Sequence, residues 1–200
     1  MNGLTRKSLL GTGLAAAAGY VAAPAAVGAT DRDTATGKRL VKLRAAREKV
    51  VIEHGRAENS GQLDETLATF THKREEIVAL GNVFEGDSAV KGYYEGYFKQ
   101  FSDQHNSDGT MRHADCAVIV EVFLSGTSAA TNKSFRLRAC ALFLFAPNTA
   151  KLVGERVYYD LFSLLQQIGQ LQAVVDAGTS FPIGGGIPIN KREPGIKASR

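Results

Sequence analysis

Leu40, Leu43, Ala46, Val50, Val51, His54 and Ala57 recur at threes and fours between arginines and lysines, which predicts a helix from Lys38 to Asn59. Ser60-Gly61 ends it, and Asp64 is placed as the N-cap of a short helix from Glu65 to Phe70. Thr71 to Leu80 reads as a strand, Gly81-Asn82 as a tight turn and Val83-Phe84-Glu85 as the return strand. After Gly86-Asp87-Ser88, the apolar stripe Val90, Tyr93, Tyr94, Tyr97, Phe98 and Phe101 has helical spacing. His113 to Ser125 and Ser134 to Phe145 are rich in Val, Ile, Leu and Phe and predict two long strands around a turn at Asn132-Lys133. Pro147-Asn148-Thr149 turns into a third strand, Lys151 to Asp160, and Leu161 to Val175 is read as a closing helix.

Helices first, then a strand pair, a helix and a three-stranded meander, is an α+β order. A curved antiparallel sheet wrapped over the helices would enclose an apolar pocket. The domain so defined runs over residues 38–175. Residues 30–37 are polar and read as a disordered junction, and residues 176–200, with a glycine run and scattered basic residues, as a disordered tail. The run Gly184-Gly185-Gly186 lacks the Lys-Ser/Thr and the helix that a phosphate loop needs. Residues 1–29 read as an export signal: Arg6 and Lys7, an apolar stretch from Leu9 to Ala23, then small residues at Val27-Gly28-Ala29. Thr5-Arg6-Lys7-Ser8-Leu9-Leu10 is similar to a twin-arginine signal with lysine in the second place, so both export routes stay open. Gly11, Gly13, Gly19 and Pro24 interrupt the stretch, so no stable membrane span is expected.

Charge changes the picture of partners. The formal net charge is +4, but Arg6 and Lys7 supply +2 and the tail beyond Asp176 +3, which leaves −1 for residues 30–176. A nearly neutral domain has no basic face to neutralise phosphates, so nucleic acid is not an expected partner. Cys116 and Cys140 fit either a cross-strand disulfide or two buried free thiols. His113 and Asp115 alternate onto one strand face without a third ligand at suitable spacing, and no metal site is expected.

Several stretches, in order, resemble one family. Glu53-His54-Gly55-Arg56-Ala57-Glu58-Asn59 is similar to the end of that family's first helix, and Val83-Phe84-Glu85-Gly86 with Ala89-Val90 to the entry of its pocket helix. Phe101-Ser102-Asp103-Gln104-His105 is similar to the end of the pocket helix, and Leu124-Ser125-Gly126-Thr127 to a strand-end turn. Glu155-Arg156-Val157-Tyr158-Tyr159-Asp160-Leu161, continuing into Leu164-Leu165-Gln166-Gln167-Ile168-Gly169, resembles the last strand, with its aromatic-Asp end, and the helix after it. The family is the SnoaL-like (polyketide cyclase-like) branch of the nuclear-transport-factor-like cone folds. Three features depart from it: Arg156 stands where tryptophan is frequent, Ser102 replaces the usual proline, and His105 to His113 forms a polar insert longer than a tight turn.

The resemblance implies a pocket lined by Asp160 as acid/base. Strand alternation puts Arg156 and Tyr158 on the same face, where they would bind substrate or steady an oxyanion. The other reading of Asp160 is the N-cap of the closing helix. His54, Tyr94 and Tyr97 reach the pocket or pack in the core. Arg138 is buried against Glu121 or Asp160, or faces solvent. The expected function is cofactor-free acid/base chemistry of cyclase, isomerase or lyase type on a small apolar carbonyl compound, by an exported protein. The alternatives are a non-catalytic ligand-binding protein or dimerising scaffold, with a possible homodimer, and an epoxide hydrolase-like activity. Fold alone licenses none of them.

Overall fold

The computed structural model describes residues 21–22, 35–173 and 187–188. A two-residue strand β1 (Val21–Ala22) is followed by the helices α1 (Ala35–Asn59) and α2 (Leu63–Ala68). Next come β2 (Arg74–Ile77), β3 (Asn82–Glu85) and α3 (Asp87–Gln100). The meander β4 (His105–Ala114), β5 (Ala117–Thr127), β6 (Ser134–Phe145) and β7 (Leu152–Tyr159) leads into α4 (Leu161–Gln167), and β8 (Ile187–Pro188) is last. They form one open sheet in the order β1-β4-β5-β6-β7-β2-β3-β8. Its neighbours are antiparallel, except β1 with β4 and β2 with β7, which are parallel. Among the described residues no helix is long and apolar enough to cross a membrane.

Six strands carry the sheet, and its inner face packs on the helices. Alternation buries Val118, Val120, Val122 and Leu124 from β5 and Phe135, Leu137, Ala139, Ala141, Phe143 and Phe145 from β6. Val90, Tyr93 and Tyr94 of α3 meet that face as the stripe predicts. On α1 the buried positions include Arg47, Val51, His54 and Ala57, while Leu40 is exposed, so the buried stripe is displaced from the apolar one. Arg47 is tolerated inside because its Nε donates to the Thr149 carbonyl (2.8 Å) and a terminal nitrogen to the Asp115 carbonyl (2.7 Å), tying α1 to two turns.

Several expectations are corrected. Helix α1 starts at Ala35, inside the stretch read as a disordered junction. Asp64 is not the N-cap of α2 but lies in its first turn, after Gln62. The polar stretch from His105 to His113 is not an insert; it is strand β4, paired along β5. Only Met111 is a large buried apolar residue in it, and an irregularity between Ser107 and Thr110, with Asp108 at φ 53°, breaks the alternation. The strand read as beginning at His113 therefore joins the end of β4 to β5 across the turn Asp115-Cys116. Helix α4 stops at Gln167 because Gly169 turns left-handed (φ 70°), and the Gln170 and Gly169 N–H groups donate to the Leu165 and Gln166 carbonyls. The export-signal reading falls outside the described residues except at Val21–Ala22, and the tail beyond residue 175 except at Ile187–Pro188, which pairs with β3.

The cysteines do not face each other. Cys140 lies opposite Glu121 and Tyr158, whereas Cys116 sits in the β4–β5 turn, where its carbonyl accepts from the Phe145 N–H. Both are free; Cys116 is exposed and Cys140 half-buried, so neither expected arrangement, a cross-strand disulfide or a pair of buried thiols, is found. Burial and then the Glu121 charge push the Cys140 thiol up. Alkylation of unreduced protein, followed by mass spectrometry, should label Cys116 quickly and Cys140 slowly. Recovery of a disulfide-linked species would contradict this register.

Candidate active site

Register decides which carboxylates look inward. Parallel pairing sets Glu75 of β2 beside Glu155 of β7, and Glu76 beside Arg156. Glu155 lies opposite Phe143 and shares the inner face with Val157 and Tyr159. Two carboxylates thus sit side by side inside, a repulsive pairing unless a cation or a proton intervenes.

The cation comes from α1. His54 is fully buried, edge-on to Phe70 and Phe143 with ring centroids 5.1 and 5.3 Å away. Its Nδ1 lies 2.7 Å from the Thr69 hydroxyl, which itself donates to the Thr66 carbonyl at 2.7 Å. The hydroxyl proton being committed there, Nδ1 carries the hydrogen and donates to Thr69. Nε2 then faces Glu155 at 3.1 Å and Glu58, one turn along α1, at 3.4 Å. The Tyr94 hydroxyl stands 3.3 Å from Nε2, 3.3 Å from Glu75 and 3.4 Å from Glu155, and it donates to a carboxylate. Asn106 Nδ2 donates to Glu58 at 3.1 Å, and paired hydrogen bonds between Asn59 and the Asn106 backbone fasten the end of α1 to the start of β4.

Proton affinities follow from this packing. Burial alone would lower the His54 pKa, but the Glu58 charge and the Glu155 hydrogen bond and charge overcome it and push it up to about 10. Burial, then the Glu155 and Glu58 charges, hold the Glu75 carboxyl well above the usual range, against the opposing effects of His54 and Tyr94. Glu155 is raised less, chiefly by burial, because His54 donates to it. At neutral pH the cluster therefore holds an imidazolium beside Glu155, and of the two inner carboxyls Glu75 is the one that keeps its proton more firmly. Tyr93, Tyr94 and Tyr97 are pushed well above their usual value by burial and remain phenols.

These raised values fix the pH dependence of folding. The native state binds more protons than the unfolded chain, so each contribution is complete below the unfolded pKa and is lost as pH rises through the folded one. For His54 that window runs from 6.5 to about 10. The thermal midpoint should accordingly fall between about pH 6 and pH 10, and a flat or rising profile would contradict it. Asp103 and Asp160, lowered by hydrogen bonds from Thr127 and Ser163, act with the opposite sign and only in acid.

Above the cluster lies a cavity of about 60 Å³. Glu58, Glu75, Glu155 and Asn106 supply its polar wall; Tyr93, Tyr97, Tyr159 and Phe143 are among the rest. His54 and Tyr94 sit behind that wall. His54 Nε2 and one oxygen each of Glu58 and Glu155 lie within 4.8 Å of one another, so these three could hold a metal ion. The nitrogen that would ligate is the one facing both carboxylates, so a metal would have to displace the imidazolium proton.

Of the residues expected from the sequence, the structure brings His54, Tyr94 and Tyr97 to the site. It does not bring the other four. Asp160 is exposed and is the N-cap of α4, accepting from the Ser163 N–H. Arg156 pairs with Glu76 at 3.1 Å on the outer face, and Tyr158 is 38% exposed there. Arg138 faces solvent, stacked on the Phe123 ring at 4.4 Å. Arg156, Tyr158 and Asp160 do alternate together, but on the outer side. The sequence pattern does not single out Glu75, Glu155, Glu58, Thr69 or Asn106. The signal for Glu155 was its own alternation with Val157 and Tyr159, which marks the core-facing side of β7.

No family model matches the sequence, and no curated protein matches it. Solved structures do. A hypothetical protein of ketosteroid isomerase-like fold from Catenulispora acidiphila, in complex with trimethylamine, matches with a TM-score of 0.55 at 17% identity, over 60% of this chain and 92% of its own. The chain has the cone fold of the ketosteroid isomerase-like and nuclear-transport-factor-like proteins. A candidate polyketide cyclase from Xanthomonas campestris shares this cone fold with a TM-score of 0.57 at 18% identity, over 62% of this chain and 98% of that one. The epoxide hydrolase/cyclase-like enzyme SalBIII of pyran ring formation in salinomycin shares it with a TM-score of 0.53 at 21% identity, over 60% and 95%. These cone-fold matches accord with the SnoaL-like resemblance of the sequence.

Proposed function

We propose that this cone-fold protein carries out cyclase, isomerase or lyase-type proton transfer on a small carbonyl compound held in the cavity. The observation that carries the reading is the pair of adjacent inner carboxyl groups in unequal surroundings, Glu155 against the His54 imidazole and Glu75 without that partner, which assigns Glu75 as acid and Glu155 as base. Two such groups with pKa values pushed apart by their surroundings are the equipment of acid/base chemistry. Glu155 would take a proton from the carbon beside the carbonyl, while Glu75 donates a hydrogen bond to the carbonyl oxygen and steadies the enolate. The proton returns from Glu155 at its new position, so an isomerisation balances without any co-reactant. Tyr94, bridging both carboxylates, and Thr69, orienting His54, hold the pair in place. Cone-fold neighbours described as a candidate polyketide cyclase and an epoxide hydrolase/cyclase-like enzyme agree with this class of chemistry.

The test is exchange of carbonyl-adjacent hydrogen for deuterium in a panel of small ketones and enones in heavy water, followed by NMR. Exchange above the buffer rate supports the reading, and none across the panel counts against it. The small volume favours a second reading, a ligand carrier without catalysis, which predicts binding without exchange. Epoxide opening gains from two carboxylates on one cavity, but the arginine it requires between them is not in the wall, since Arg156 points outward.

The leader supports a further element of the reading, export with cleavage behind Ala29. Cleavage would remove β1 and leave β4 as the sheet edge. An N-terminus at Met1 in protein recovered from its native host would count against it.

A further inference from the structure

We propose that the cavity takes a small organic cation, of the size of a methylated ammonium ion. This rests on the reading of the cavity as the ligand site and adds the charge of what enters it. Three carboxyl groups, from Glu58, Glu75 and Glu155, reach the wall, while among the described residues no lysine or arginine lines it. The compensating cation among the described residues, His54, lies behind them, so the wall itself presents negative charge.

Several donors near the wall are engaged, although the Tyr93 and Tyr159 hydroxyls in the lining and the buried Gln104 Nε2 have no hydrogen-bond partner among the described residues. Asn106 Nδ2 donates to Glu58 at 3.1 Å, the Tyr97 hydroxyl to Gln104 Oε1 at 3.4 Å, and the Tyr94 hydroxyl to the inner carboxylates. Apart from the proton on Glu75 and the Tyr93 and Tyr159 hydroxyls, a ligand meets carboxylate oxygens and aromatic rings. A ligand that brings in a permanent negative charge would face these carboxylates with no lysine or arginine among the described lining residues to neutralise it, and burying it there would be costly. A compact cation finds both attractions at once. Tyr93 and Tyr97 are stacked, with centroids 5.9 Å apart and planes inclined by 13°, and Tyr159 and Phe143 complete an aromatic lining of the kind that holds quaternary ammonium groups. Each water needs roughly 10–15 Å³ of such space, so a cavity of about 60 Å³ takes a group of only a few heavy atoms. The same wall would steady a cation formed when Glu75 protonates a substrate.

The experiment titrates the full chain with three compounds of similar shape: tetramethylammonium chloride, tert-butanol and sodium pivalate. Backbone amide shifts are followed by NMR at constant ionic strength. Tetramethylammonium should bind saturably, shift residues around Val122 and Ala141, and bind about tenfold more tightly than tert-butanol; pivalate should not bind. Glu58→Gln should weaken tetramethylammonium by about tenfold and leave tert-butanol unchanged, with thermal unfolding confirming that the variant folds. Equal or tighter binding of tert-butanol or pivalate, or no binding of tetramethylammonium, overturns the proposal. Cation binding without hydrogen exchange in ketones would sink the acid/base reading alone, and exchange without cation binding would sink this one alone.

Discussion

His54→Leu is expected to cost about 3–5 kcal/mol of folding stability at neutral pH, the usual consequence of removing one partner from a buried ion pair. Leucine fills most of the space between Phe70 and Phe143, so the loss is electrostatic more than steric. What remains is Glu58, Glu75 and Glu155 around one volume with no cation among them. The fold can respond only by taking up a proton, so the penalty should shrink in mild acid and grow as pH rises. His54→Gln, which can still donate to one carboxylate, should lose less than leucine does. Urea denaturation at several pH values reads all of this. A leucine variant as stable as the parent at neutral pH would mean that the imidazolium is not what holds the two strands together.

Glu155→Gln is expected to reduce hydrogen exchange in a responsive ketone by about a hundred- to ten-thousand-fold, the range a positioned base supplies. Glutamine keeps the shape and can still accept at one oxygen, but it cannot take a proton from carbon. Asp160→Asn is the matching control. Asparagine caps a helix as well as aspartate does, and the side chain is exposed on α4, so exchange should continue at the parental rate. Loss of exchange in Asp160→Asn together with retention in Glu155→Gln would return the chemistry to the outer face and contradict the cavity assignment.

How far the sequence could be read depended on the kind of pattern. Strand β6 is found with the bounds expected, because the apolar, aromatic run from Ser134 to Phe145 lies between two clear turns, and its burial alternates along the whole length. The aromatic stripe of α3 is legible from its spacing of threes and fours. Strand β4 was not, since its partner contacts are mostly backbone pairing to β5 and its irregularity at Asp108 disrupts the period of two. At the site, the right strand was legible but not the right face. Choosing Arg156, Tyr158 and Asp160 over Glu155, Val157 and Tyr159 inverts the assignment, because a shift of one position turns every side chain to the other side. Glu75 was not legible at all: its importance arises only when β2 pairs in parallel with a strand 80 residues away in the chain, bringing Glu75 beside Glu155. Sequence periodicity cannot supply that register.

The most direct measurement is an NMR titration of isotope-labelled glutamate side-chain carboxyl carbons, assigned through Glu75→Gln and Glu155→Gln. The cluster described above predicts that the Glu75 carboxyl stays protonated well beyond the usual 4.5, at a pH where the exposed glutamates are fully ionised, and that this signal vanishes in Glu75→Gln. If Glu75 titrates with the exposed carboxylates instead, there is no acid beside the base, and the proposed proton transfer has no foundation.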